Sequence, residues 1–226
     1  MGSRMDKKLI IFDMDGTLID SAPSLAYAIN LMLKDLNKEP LSVNRVREFI
    51  GQGSEILVKR ALVNDVNYQN YNIDEDYFKK AHQIFLKHYS NNLNSKTTLF
   101  KNAKETLEFL KDKYKLALVT NKPQQFVKDI LQHFEIDKYF DYILGANENI
   151  AKKPAPDMLI KTLNDLNIEP KEAIMVGDSA NDITAAKSAN IDTIAVTYGY
   201  YSGDIKELEP TFVIDDLKDI KEVLND

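Results

Sequence analysis

Apolar residues in this chain gather in short unbroken runs, and between the runs they recur every three or four positions. The runs cover residues 9–12, 115–120, 140–146, 173–178 and 193–199, with a shorter one at 211–215. They are rich in Ile, Val, Leu and aromatic residues, and continuous apolar runs of this length predict strands covered on both faces. The intervening spacing is helical. Ala103, Leu107, Leu110 and Tyr114 form one stripe, Phe126, Ile130, Leu131 and Phe134 a second, and Leu159, Ile160, Leu163 and Leu166 a third. Strands alternating with helices predict an α/β fold, a parallel sheet with helices on both faces.

One interval breaks the alternation. The first strand ends near Asp13, and the next convincing one begins near Lys115. A simple crossover needs one helix, yet this gap holds several helical patterns. In the first of them Leu25, Ile29, Met32 and Leu36 share a face, Ser21 stands at the N-cap position and Pro23 in the first turn. Residues 21–94 are therefore expected to form an inserted helical domain, with 1–20 and 95–226 forming the α/β domain. The polar, tyrosine-rich "NYQNYNIDEDY" is expected to be a solvated loop of the insertion.

Composition narrows the function. The chain has 226 residues, 44% hydrophobic and 28% charged, enough for a sizeable core. A net charge of −6 argues against a nucleic-acid partner or an anionic membrane surface, but not against a small anionic substrate met by a few local cations. The absence of cysteine excludes disulfides and thiolate chemistry. No apolar run approaches the length of a membrane span, and "MGSRMDKK" lacks a signal core, so the expected setting is cytoplasmic, as a monomer or homodimer. Met5 reads as the natural start, with Met1 to Arg4 an added leader.

Ligands of an open parallel sheet bind at the carboxyl ends of its strands. Here the first strand delivers Asp13 and Asp15, followed by Gly16 and Thr17. The second delivers Thr120, Asn121 and Lys122; the third leads to Lys152 and Lys153; the fourth delivers Asp178, Ser179 and Asp182. Taken singly, each has a plain structural explanation: turn formers, a strand-end pair, a solvated loop cation, a helix N-cap with a first-turn acid. Acids, a hydroxyl and a lysine at four strand ends together suit phosphoryl transfer. Carboxylates so crowded call for a hard cation such as Mg²⁺. One of them can act as nucleophile, and a lysine can offset charge on the transferred group. Zinc fits less well, because His82, His88 and His133 lie outside these loops. A glycosidase also uses paired carboxylates, but it leaves Thr120, Lys153 and the second acid pair unexplained.

The segments "FDMDGTLIDS", "VTNK", "KKPAPD" and "GDSANDITAA" resemble, in order, the four motifs of the haloacid dehalogenase superfamily. The resemblance implies a Rossmann-like core and, in the insertion, a C1-type cap. It implies that Asp13 is the nucleophile and Asp15 the acid and base. Asp13, the Asp15 carbonyl, Asp178 and Asp182 would serve a Mg²⁺ site. Thr120 and Lys153 would bind the phosphoryl group, with Asn121 beside them. Lys153, immediately before proline, is favoured over Lys152. An acid at position 15 further implies a phosphate-ester leaving group that needs a proton. The stretches 41–62 and 196–220 are similar to the phosphoglycolate phosphatases, which implies a small phosphorylated metabolite as substrate. Arg45 or Arg47 would meet its carboxylate, and Gly51 and Gly53 would let backbone approach it closely. Other readings are a pyrophosphatase, sugar phosphatase or nucleotidase of the same superfamily, a phosphosugar mutase, or a receiver-type signalling module.

Overall fold

The computed structural model describes residues 6–224, so the expectation about Met1 to Met5 lies outside the described residues. Strands β1 (Leu9–Phe12), β2 (Ile19–Asp20), β3 (Thr98–Leu99), β4 (Lys115–Pro123), β5 (Tyr142–Ala146), β6 (Ala173–Gly177), β7 (Asp192–Val196) and β8 (Phe212–Ile214) alternate with helices. The helices are α1 (Ala22–Asp35), α2 (Val43–Arg47), α3 (Ser54–Val63), α4 (Glu75–Asn91), α5 (Ala103–Lys111), α6 (Gln124–His133), α7 (Asp157–Leu166), α8 (Ala180–Ser188) and α9 (Ile220–Val223). The chain divides into two compact units. One joins the residues up to Ile19 with those from Leu99 onward, and the other is Asp20–Thr98. The short strands β2 and β3 pair with each other where the chain passes between the units.

The first unit holds a six-stranded sheet in the order β5-β4-β1-β6-β7-β8. Every pairing is parallel, so all carboxyl ends lie along one edge. Leu9, Ile11, Ala117, Val119, Ala173 and Met175 pack on one face with Met158, Leu159 and Leu163 of α7 and Ala185 and Ala186 of α8. The alternate residues Ile10, Phe12, Leu116, Leu118, Ile174 and Val176 are equally buried, as a sheet covered on both faces requires. The third helical stripe is narrower than its spacing predicts, for Ile160 is 43% exposed while Leu159 and Leu163 carry the packing.

The unit Asp20–Thr98 is helical, with α1 packed on α4 and α2. Ser42 and Asp74 cap α2 and α4 by accepting the Arg45 and Tyr77 N–H groups. Ser21 stands at the N-cap position of α1 with Pro23 in its first turn, but its side chain makes no capping bond because its backbone is already αR. The core of this unit is Ile29, Met32, Leu33, Val46, Phe49, Val58, Phe85 and Tyr89. Among the described residues no helix is long and apolar enough to cross a membrane.

Candidate active site

At the end of β1 the chain turns back sharply. The Thr17, Leu18 and Ile19 N–H groups all donate to the Met14 carbonyl. Gly16 makes the turn at φ +88°, where a Cβ would also come within 2.2 Å of the Asp178 carboxylate. Asp13 is held beside β6 by its N–H, which donates to the Val176 carbonyl at 2.9 Å.

Asp13, Asp178 and Asp182 are all buried, and a carboxylate oxygen of each lies within 4.8 Å of one from each of the others. Such a group is costly unless a cation compensates it. Lys153 supplies part of the compensation. Its ammonium lies 3.0 Å from Asp13 and 2.6 Å from Asp182, and donates to the Val119 carbonyl at 2.7 Å. Asp182 closes a capping box at the start of α8, its second oxygen accepting the Ser179 N–H and hydroxyl. Both oxygens of Asp182 are therefore engaged by protein donors. The plain explanation of Ser179 and Asp182, an N-cap with a first-turn acid, is realised here.

One lysine does not balance three carboxylates. Burial and then Asp182 push the Asp13 carboxyl up to about 7, against the opposing pull of Lys153. Burial, Asp182 and Asp13 raise Asp178 well above the usual carboxylate range. Burial works against the charge on Lys153, but Asp13 and Asp182 outweigh it and raise its pKa. An oxygen-only, over-negative, buried donor set fits a hard divalent cation.

Asp178 is held from two sides. The Thr17 hydroxyl donates to one oxygen at 3.2 Å and the Tyr200 N–H to the other at 2.7 Å. The Tyr200 contact depends on Gly199, where a Cβ would lie 2.1 Å from the Asp178 Cβ. The Tyr198 hydroxyl donates to the Thr17 carbonyl at 2.8 Å. This loop after β7 lies in the stretch that resembles the phosphoglycolate phosphatases, but nothing local in its sequence signals the contact with Asp178.

Asp15 is set apart from the triad by its side chain. Both its oxygens accept from the Lys122 ammonium, at 3.0 and 3.1 Å. Thr120 is buried at the end of β4, and its hydroxyl oxygen accepts the Lys122 N–H at 3.2 Å. The Asn121 amide donates to the Lys153 carbonyl at 2.7 Å, fastening the lysine loop to β4. Thus Asp13, Asp15, Thr120, Asn121, Lys153, Asp178 and Asp182 meet in one unit.

The other expected site residues belong to the helical unit. Arg45 donates to Glu48, to the Asn64 side chain at 2.8 Å and to the Asn64 carbonyl at 2.6 Å, and lies over the Phe49 ring. Arg47 pairs with Asp20 at 3.3 Å. Gly51 and Gly53 both take positive φ, at 117° and 87°. Arg60 fastens their loop, donating to the Phe49 carbonyl and to Gln52 at 3.0 and 2.9 Å.

A parallel α/β sheet that gathers buried acids, a threonine and a lysine at its carboxyl edge defines a hydrolase-type site suited to phosphoryl transfer. Comparison with known proteins makes this specific. The family model for haloacid dehalogenase-like hydrolases matches residues 10–196. The phosphoglycolate phosphatase of Psychrobacter arcticus is 44% identical over 97% of this chain and 96% of its own. That of Colwellia psychrerythraea is 39% identical over 95% of this chain and 96% of its own. A crystal structure described as a predicted phosphoglycolate phosphatase, from Haemophilus somnus 129pt, superposes with a TM-score of 0.90 at 40% identity, covering 96% of this chain and 98% of its own. The chain belongs to the haloacid dehalogenase-like hydrolase family.

Proposed function

We propose that this protein is a Mg²⁺-dependent phosphatase that hydrolyses 2-phosphoglycolate through an aspartyl-phosphate on Asp13. The observation that carries the proposal is the placement of Asp13 beside Lys153 and within a buried acid triad, while Asp15, two residues on, stands outside it. The names of the relatives support the substrate.

In this reading an Asp13 oxygen attacks phosphorus, and the bond to the glycolate oxygen breaks. Asp15 gives that oxygen its proton, then takes one from the water that attacks the aspartyl-phosphate, releasing inorganic phosphate and restoring Asp13. Thr120 is suited to bind the phosphoryl group, because its oxygen already accepts from Lys122 and its own proton is left to donate. Lys153 offsets charge on Asp13 and on the phosphoryl oxygens. Asp13, Asp178 and the Asp15 carbonyl would hold Mg²⁺. Asp182, already engaged twice, would serve it through Lys153 and the fold. Bound Mg²⁺ supplies charge neutralisation at the phosphoryl oxygens.

The helical unit would act as the cap that selects the substrate. Arg45 would have to leave Glu48 and Asn64 to meet a carboxylate, and Gly51 and Gly53, at positive φ, would let backbone approach it closely. The test is phosphate release from 2-phosphoglycolate, pyrophosphate, sugar phosphates and nucleotides, with Mg²⁺ and with chelator. The reading expects 2-phosphoglycolate to give the highest kcat/KM and chelator to abolish turnover. A higher kcat/KM for another ester would overturn the substrate, and turnover unaffected by chelator would overturn the metal.

A further inference from the structure

We propose that Lys122 is the positioning residue of Asp15, holding its carboxylate in the orientation that proton exchange with the leaving oxygen requires. The inference rests on the reading of Asp15 as acid and base given above. Neither motif reading nor the reaction as outlined gives Lys122 a task, yet it is a buried lysine at the centre of the site.

Its place follows from an irregularity in the sheet. Between one pair of partners and the next, β5 advances by one residue, Gly145 to Ala146, while β4 advances by three, Thr120 to Pro123. Asn121 and Lys122 are the additional residues. Such bulges re-aim side chains and concentrate beside active sites. The Lys122 side chain is 3% exposed and that of Asp15 is 12% exposed. The ammonium stands at nearly equal distances from the two oxygens, 3.0 and 3.1 Å.

A buried pair of this kind is weak evidence for stability, since apolar residues of similar volume serve as well or better. It is better explained by geometry. The terminal torsion of an aspartate is broad, so a carboxylate without fixed partners samples many orientations. A single ammonium bridging both oxygens from a rigid strand end narrows that range. Lys122 also sets Thr120, because its N–H occupies the threonine oxygen. The site thus divides its cations. Lys153 serves Asp13 and Asp182, and Lys122 serves Asp15.

The test compares leaving groups that differ in their need for a proton. The first turnover of Lys122→Met is measured by rapid quench with two alkyl esters, 2-phosphoglycolate and glycerol phosphate, and with p-nitrophenyl phosphate, whose phenolate departs without protonation. Lys122→Met is expected to slow the alkyl esters by about 10² to 10⁴-fold, the range of a general acid, and the aryl ester by less than about tenfold. KM should change little, and in an Asp15→Asn background the substitution should have no further effect. Lys122→Gln, which keeps a donor to Asp15, should recover part of the alkyl rate and serves if the Met variant folds poorly. Equal loss on alkyl and aryl esters, or no loss on either, would overturn the proposal. If the wild type turns over glycerol phosphate but not 2-phosphoglycolate, the substrate assignment fails while the Lys122 comparison stands on the ester that reacts.

Discussion

Replacing Asp13 by asparagine removes one of three clustered negative charges while keeping the size of the side chain. In the folded protein burial, then Asp182, raises the Asp13 carboxyl from 3.8 to about 7. The folded state therefore binds this proton more tightly than the unfolded chain does. The stability contributed here is fullest below the unfolded value and falls as pH rises through about 7, where the acid must ionise inside the protein. The rise corresponds to on the order of 4 kcal/mol lost above neutrality when no metal is bound. Asparagine removes that cost but takes one carboxylate from Lys153, which keeps Asp182 and the Val119 carbonyl. The net expectation at about pH 8 in chelator is a stabilisation of roughly 1–3 kcal/mol, or several degrees in Tm for a chain of this size. At about pH 5, where Asp13 is protonated in the folded protein but still ionised in the unfolded chain, the gap should narrow. Differential scanning calorimetry of both proteins at the two pH values measures it. A variant that melts below the wild type at the higher pH, or a gap that does not change with pH, would refute the account of a strained acid cluster.

Lys153→Met should leave Asp13 and Asp182 without their buried cation, costing about 3–5 kcal/mol at neutral pH; a melting temperature like that of the wild type would contradict the ion-pair geometry. Gly199→Ala should displace Asp178, since the new Cβ would lie 2.1 Å from the Asp178 Cβ. Calorimetric titration with Mg²⁺ should show affinity reduced by about 10 to 100-fold, the usual effect of disturbing a residue behind a metal ligand. Gly203→Ala, where a Cβ would meet only the Tyr201 ring at 2.9 Å, is the control and should bind Mg²⁺ as the wild type does.

The sheet was legible because burial on both faces leaves continuous apolar runs, and all six strands of the main sheet fall where those runs lie. The acids and Lys153 were legible because a parallel sheet collects whatever its strand ends carry. What escaped reading depends on pairings that no local pattern encodes. Lys122 looks like any strand-end lysine until the β4–β5 bulge brings it to Asp15. The Asn121 amide fastens the Lys153 loop, thirty-two positions along, a bond that its own stretch of sequence does not announce. Arg45 appears free on a short helix, whereas Asn64, nineteen positions along, takes two of its donors. The loop at Tyr198–Tyr200 reaches Asp178 only because Gly16 and Gly199 leave room on both sides.

The central claim is a covalent phosphoryl group on Asp13. Wild-type protein with Mg²⁺ is mixed with 2-phosphoglycolate, quenched within one turnover, reduced with borohydride, digested and sequenced by mass spectrometry. The account predicts homoserine at position 13, the reduction product of an aspartyl-phosphate, and aspartate at position 15. Unmodified aspartate at position 13 under conditions of rapid phosphate release, or homoserine at position 15 instead, would contradict it.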